Sequence, residues 1–340
     1  MKAAIVQSDF TLKIEEYPTP KPGSGQVLIK VAYCGICGSD IHFLAAKMIP
    51  EGCIMGHELS GYVEEIGEGV EGWKKGDPVA VYPADPCGLC DPCLQARAHL
   101  CEKNFERGYG LGANPGAFAE YMLTESSMLH RAPEDVDIKT VALNEPWAVA
   151  VHGVRISDFK IGQTALVMGA GPIGLLCIYA LKHAGASYIL VSEPDPNRAK
   201  LALNAGADKV LHPEKDFPLM ETAKIKGKLP DFVFECAGMA TTMEEAGALC
   251  GPKGQVVMMG IYQDYVSTFP LTWFMKELTV IFSLGSEIRD FRESLYLLSK
   301  KAVDENVMIS KVVPLSKIKE AFEALEKPGH TKILIDCQGV

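Results

Sequence analysis

No stretch of this chain approaches the ~18 consecutive apolar residues that a membrane-spanning helix requires, so a helical integral membrane protein is excluded. The opening residues, Met1 to Val6, lack the basic start, apolar stretch and small-residue cleavage site of a secretory signal. The expected location is therefore the cytoplasm, with no membrane partner. An excess of basic residues is missing too: 33 Lys and Arg face 43 Asp and Glu, a formal net charge of −10. A nucleic-acid binder needs a basic face to neutralise phosphates, so no nucleic-acid partner is expected. Low-complexity tracts and long charge runs are also absent.

What is present is ordinary globular material in quantity. The 340 residues are 48% hydrophobic and 22% charged, enough for two domains with sizeable cores. Cysteine is generous at 11. A disulfide-stapled secreted protein with that number is normally much shorter, and clustered cysteines in a reducing compartment more often bind metal. Cys34, Cys53, Cys177, Cys236, Cys250 and Cys337 are scattered and read as small buried apolar residues.

The chain changes character along its length. About the first 145 residues carry short apolar runs broken by Gly and Pro, a pattern that predicts a strand-rich, barrel-like unit. From Ile161 onward strands and helices alternate: Ala165 to Met168, a glycine turn, a helix from about Pro172, a strand over Ser187–Ser192, and further strands near 209, 231, 255 and 279. Such alternation predicts an α/β domain with a parallel sheet covered on both faces.

The turn Gly169-Ala170-Gly171-Pro172-Ile173-Gly174 lies between a predicted strand and a predicted helix. In a dinucleotide-binding turn the first glycine permits the bend, the second admits the pyrophosphate, and the third lets helix and strand approach. The helix start then offers unpaired N–H groups to the phosphates. Glu193 follows Gly174 by 19 residues, close to where an acidic residue binds the adenosine ribose. A carboxylate there repels a 2′-phosphate, so NAD is expected over NADP. Arg198 is placed to stack on the adenine or, alternatively, to accept NADP.

Cys87, Cys90, Cys93 and Cys101 form a C-x2-C-x2-C-x7-C pattern within fifteen residues. Four thiolates on one short loop suit a closed, structural zinc site. The rival is an iron–sulfur cluster, but ferredoxin runs place Pro after the last Cys, and here Glu102 follows. Two further segments, Cys37-Gly38-Ser39-Asp40-Ile41-His42 and Gly56-His57-Glu58, together with Glu145, supply candidate ligands for an open, catalytic metal site.

The chain resembles the zinc-containing medium-chain alcohol dehydrogenases, and within them the polyol (sorbitol) and threonine dehydrogenase branch. Residues Gly56 to Val70 match that family's G-H-E-x2-G-x5-G-x2-V signature, and the cysteine lobe, Gly116 to Tyr121, the glycine turn and Pro314-Leu315 follow in family order. The resemblance implies a Rossmann-type doubly wound sheet over 149–287, inserted in a β-rich GroES-like catalytic domain formed by 1–148 and 288–340, with the structural lobe at about 85–103. It implies two zinc ions per chain. Cys37 and His57 would bind the catalytic one, with Glu58 or Glu145 as third ligand or the two exchanging. Asp40 would orient the histidine, Ser39 contact the substrate oxygen, and His42 relay a proton. A homodimer or homotetramer is implied, pairing through runs near 256–261 and 271–282. The resemblance departs at Ile281 to Gly285, where polyol dehydrogenases often carry a Phe-Arg pair and this chain has no arginine. The loop Asn104 to Pro115, with Arg107 and Tyr109, is expected to form another wall of the substrate pocket, and Arg107 reads as a solvent-facing arginine, with attraction of an anionic group as the alternative.

The expected function is thus hydride transfer between a small secondary alcohol, polyol-like or an amino alcohol, and NAD, with the alcohol or its ketone as partner. Two alternatives compete. One is a zinc-free NADPH quinone or enoyl reductase of the same superfamily, which would lack the cysteine lobe. The other is a zinc-ribbon interaction module, which would want basic residues around Cys87 to Cys101.

Overall fold

The computed structural model describes residues 1–111, 114–216, 223–325 and 329–339. Its chain forms two compact units, one of residues Met1–Glu145, Glu287–Lys301 and Ile309–Val340, the other of Pro146–Ser286 and Ala302–Met308. The short return of Ala302–Met308 to the second unit is not announced by any periodicity in the sequence.

The first unit carries strands β1 (Lys2–Val6), β2 (Leu12–Glu16), β3 (Gln26–Gly35), β4 (Glu58–Ile66), β5 (Pro78–Val81), β6 (Tyr121–Glu125) and β7 (Leu129–Arg131). The second carries β8 (Thr164–Met168), β9 (Tyr188–Ser192), β10 (Lys209–Leu211), β11 (Phe232–Glu235), β12 (Gln255–Met258) and β13 (Thr279–Phe282). The tail returns β14 (Ile309–Pro314) and β15 (Lys332–Asp336) to the first unit.

In the first unit the strands run β14-β15-β3-β4-β5-β7, with β6 also on β3, while β1 and β2 form a hairpin. β3 is the centre. Its ten residues are largely apolar, and it pairs antiparallel with β4, β6 and β15. Being covered on its faces, it reads as a nearly continuous hydrophobic run and not as a strict alternation.

The second unit is a sheet of six parallel strands in the order β10-β9-β8-β11-β12-β13. Numbered within the unit, that order is 3-2-1-4-5-6, the doubly wound arrangement. Its interior strands are fully buried: Leu166, Val167, Val191, Val233, Phe234, Val256 and Val257 have essentially no exposed surface. The order reverses between β8 and β11, so the crevice at their carboxyl ends is where such sheets bind ligands. The glycine turn leaves β8 at that point.

Candidate metal centre and dinucleotide turn

The β3–β4 register brings together residues twenty positions apart. Gly35, the last residue of β3, stands opposite Glu58, the first of β4. Cys37 lies two residues beyond β3 and His57 one residue before β4, so both meet at the same end of the hairpin. The Gly56 backbone has φ 97°, a left-handed conformation, and a Cβ there would press on Cys34 Sγ and the Phe118 ring at 2.9 Å. Only glycine fits that entry to the His-Glu pair.

Cys37 is the N-cap of the helix Gly38–Ala45. Its N–H donates to Asp40 Oδ2 at 2.9 Å, and the Asp40 N–H donates back to the Cys37 carbonyl at 3.1 Å. Asp40 has no exposed surface, and its other oxygen lies 3.4 Å from His57 Nδ1. One carboxylate, favoured in the first turn by the helix dipole, thereby fixes both the thiol-bearing backbone and the imidazole ring. With Nδ1 turned to Asp40, Nε2 is the ring nitrogen left to ligate a metal. Burial alone would lower the basicity of His57, but Asp40 and the neighbouring Cys37 override it and hold the imidazole well above its ordinary pKa.

The ligand atoms of Cys37, His57 and Glu58 all lie within 4.8 Å of one another, a group able to hold a metal ion. Of the two carboxylates the sequence left open, Glu58 is in this group and Glu145 is outside it. Glu145 is the second residue of the helix Asn144–Ile156, and burial raises its carboxyl pKa to about 7, with His57 pulling it down and Glu58 and Asp40 pushing it up. It therefore feels the charges of the site without standing among its three closest donors. Ser39 is buried, and His42 sits one turn further along the same helix, its basicity lowered by partial burial.

Sequence reading missed Lys332. It heads β15, only 2% exposed, and its ammonium donates to Glu58 Oε1 at 2.6 Å and Oε2 at 2.7 Å and to the Ile36 carbonyl at 3.0 Å. A charged residue opening the otherwise apolar run Lys332 to Ile335 was the available signal, since a buried lysine needs a buried anion.

The second metal candidate is as predicted from spacing. Cys87, Cys90, Cys93 and Cys101 bring their sulfurs within 4.8 Å of one another. Backbone N–H groups of Leu89 and Cys90 point at Cys87 Sγ, and those of Cys87 and Lys103 at Cys101 Sγ, at 3.4 to 3.5 Å. Those donors stabilise thiolates and lower Cys87 to about 6. Burial and the neighbouring sulfurs raise Cys93 to about 12, so the four sulfurs would ionise together only with a cation among them. Arg107 faces solvent and pairs with Asp85, and the buried Tyr109 takes the Glu125 N–H on its hydroxyl at 3.1 Å. Gly112 and Ala113 of the same loop lie outside the described residues.

In the second unit the three glycines divide their work as the fingerprint requires. Gly169 has φ 88° and abuts Ala237. A Cβ on Gly171 would meet nothing within 4 Å, which is the open space a pyrophosphate needs. A Cβ on Gly174 would collide with the Gly169 carbonyl. Gly171 caps the helix Pro172–His183, with Pro172 at its first position and Ile173 following. Glu193 is 5% exposed and accepts N–H groups from Ala170 at 2.7 Å and Asp195 at 2.8 Å. Arg198 is partly buried, and its backbone N–H donates to Asp195 Oδ1 at 2.8 Å.

Residues 23–134 match the alcohol dehydrogenase GroES-like domain, and residues 172–300 match the zinc-binding dehydrogenase family. The chain is 35% identical over 343 residues to a 2-dehydro-3-deoxy-L-galactonate 5-dehydrogenase of Pseudoalteromonas atlantica, covering 99% of each. It is similar to the crystal structure of 2R,3R-butanediol dehydrogenase from Bacillus subtilis (TM-score 0.90, 33% identity, 98% and 99% of the two chains covered). A zinc-binding dehydrogenase of Sinorhizobium meliloti, solved bound to NADP, superposes with a TM-score of 0.92 at 30% identity, covering 98% of each chain. Neither the zinc-free reductase nor the interaction module is favoured by these matches. The chain belongs to the zinc-containing medium-chain alcohol dehydrogenases, in their polyol and threonine dehydrogenase branch, and is an oxidoreductase.

Proposed function

We propose that the protein oxidises a small secondary alcohol, polyol-like or an amino alcohol, to its ketone with NAD, or runs the reverse. The observation that carries this reading is the convergence of a thiol, an imidazole and a carboxylate from Cys37, His57 and Glu58, with Asp40 braced against the ring. Three such donors suit a catalytic zinc, which keeps a further position for substrate or water. When bound, the zinc supplies a Lewis acid that makes an alcohol hydroxyl easier to ionise. Cys37, His57 and Glu58 would hold it, with Glu145 as the carboxylate available for exchange, and Asp40 would fix the ring. Ser39 would take the hydroxyl proton while releasing its own, and His42, whose basicity partial burial lowers, would carry a proton on to solvent. The glycine turn and Glu193 would hold the dinucleotide, whose nicotinamide would supply the acceptor for the hydride.

NAD is favoured because the Glu193 carboxylate stands at the turn, where it suits ribose hydroxyls and opposes a 2′-phosphate. The NADP-bound relative is the counterexample that makes both cofactors worth testing. The four cysteines would hold a second, structural zinc. Among the described residues no helix is long and apolar enough to cross a membrane, in keeping with the cytoplasmic setting proposed here. For assembly we favour a homodimer or homotetramer built on the free edge of β13. Leu271, Phe274, Met275 and Phe282 are each more than half exposed there, whereas Val256 to Met258 are interior and contribute nothing.

A screen of secondary alcohols, sugar alcohols and amino alcohols with NAD and NADP in parallel, alongside elemental analysis, tests the reading. Expected are about two zinc ions per chain and alcohol-dependent NADH formation. Less than one zinc per freshly purified chain would falsify it.

A further inference from the structure

The Glu58–Lys332 pair is made by three adjacent strands. β3 lies between β4 and β15, and Gly35 of β3 stands opposite Glu58 on one side and Leu334 on the other. A side chain on Gly35 would collide with Glu58 Oε2 and press on Lys332 Cδ at 3.3 Å, so glycine leaves the space in which the two residues meet across β3. The ammonium has three N–H groups and three acceptors, two of them the oxygens of one carboxylate. Every donor is used, and both Glu58 oxygens are already engaged.

That carboxylate is also one of three donors of the candidate cation site. A divalent cation arriving at Cys37 and His57 has to share Glu58 with a fixed positive charge that cannot leave, because Lys332 is buried and tethered to Ile36. Two cations on one carboxylate weaken each other's hold. Neutralising Glu58 alone would need no such arrangement, since an apolar residue at 332 and a cation on Glu58 would satisfy the charge. We propose that Lys332 is a positioning residue that competes with the catalytic cation for Glu58 and so keeps the Glu58 ligand weak and exchangeable. With Glu58 restrained from behind, the place it vacates opens to substrate, to water or to Glu145. This rests on the proposed zinc site, and deepens it by naming what tunes its third ligand.

The expectation runs opposite to that for a merely structural lysine. Removing a structural charge partner would loosen the site and shed metal. Removing a competitor tightens it. The full chain would be prepared as wild type, Lys332→Arg and Lys332→Gln, loaded with zinc or with cobalt(II). Transfer to a chelator would be timed, and the cobalt bands used to separate the Cys37–His57 site from the four-cysteine site. Lys332→Arg keeps the charge and should release the ion within about threefold of wild type. Lys332→Gln keeps a hydrogen-bond donor without charge and should hold it about tenfold more tightly or more. Its metal-free form should melt lower than wild type and gain more on loading, because the ion then becomes the only partner of a buried carboxylate. In a Glu58→Gln background the contested carboxylate is gone, so the Lys-to-Gln difference should shrink to the direct repulsion between Lys332 and the ion, and the doubly substituted chain holds no buried charge from this pair. Faster release from Lys332→Gln than from wild type, or a difference undiminished without Glu58, overturns the proposal. A wild-type chain that takes up no ion beyond the cysteine lobe sinks the zinc dehydrogenase reading itself, an outcome the same titration separates.

Discussion

Glu193 accepts the Ala170 N–H at 2.7 Å, so the residue that follows the second strand of the parallel sheet is bonded into the turn that follows the first. Its other oxygen takes the Asp195 N–H at 2.8 Å. A carboxylate can accept about four hydrogen bonds, which leaves capacity for ribose hydroxyls. Glu193→Ala removes charge-assisted bonds worth roughly 1.5–3 kcal/mol each and the repulsion of a 2′-phosphate. KM for NAD should rise by about tenfold or more while the NADP-to-NAD ratio of kcat/KM shifts toward NADP. An unchanged ratio would show that Glu193 only shapes the turn.

Gly171 and Gly174 look equivalent in the motif but differ in space. Gly171 has φ −69° and open surroundings, so alanine is tolerated by the fold and intrudes only on a bound phosphate. Alanine at Gly174 meets the Gly169 carbonyl. Gly171→Ala should melt within a degree or two of wild type and bind dinucleotide poorly. Gly174→Ala should lose stability by roughly 1–3 kcal/mol, the cost of overpacking. Thermal melts with a dinucleotide fluorescence titration on both variants separate the two roles.

How much of this was legible beforehand follows from sequence distance. The glycine turn and the cysteine lobe are local, each confined to one segment whose residue types have few other uses, and both lie where spacing put them. Cys37 and His57 needed a hairpin to meet, and only the family resemblance paired them before the β3–β4 register was known. The Glu58–Lys332 pair spans 274 positions and joins strands that are not neighbours, so nothing in either segment points to the other. Glu235 escaped for a different reason. It reads as the polar end of a strand, yet it is fully buried and gathers the N–H groups of Ala237 and Gly238 and the hydroxyls of Thr242 and Tyr262. Burial of a carboxylate is a tertiary fact, and short-range pattern does not carry it.

The four-cysteine lobe should depend on its ion for order. Leu89, Leu94 and Phe105 in and beside it are each more than two-thirds exposed, so few apolar contacts hold it to the unit. Cys101 is the one buried sulfur of the four and receives two backbone N–H groups. Cys101→Ser should lower the zinc content by about one ion per chain, drop Tm by several degrees and open residues 87–107 to proteolysis. Retention of the full metal content by this variant would mean that the quartet is not the ligand set.

His130 sets an acid limit on stability that owes nothing to metal. It lies on β7, 8% exposed, its ring 5.1 Å from that of Phe291 and Nε2 without a hydrogen-bond partner among the described residues. Burial first, and Arg292 second, depress its pKa to about 4. The unfolded chain protonates this group near 6.5 and the folded chain only near 4, so between those values the unfolded state binds more protons. Stability should therefore be complete above about pH 6.5 and decline as the pH falls toward 4, by up to roughly 3 kcal/mol from this residue. His130→Gln cannot gain that proton. Urea unfolding of both proteins from pH 7.5 to 4.5 should give curves that converge as the medium is acidified, the wild type losing its advantage, because the carboxylates common to both titrate alike. Parallel curves would place His130 in a site that already accommodates its charge.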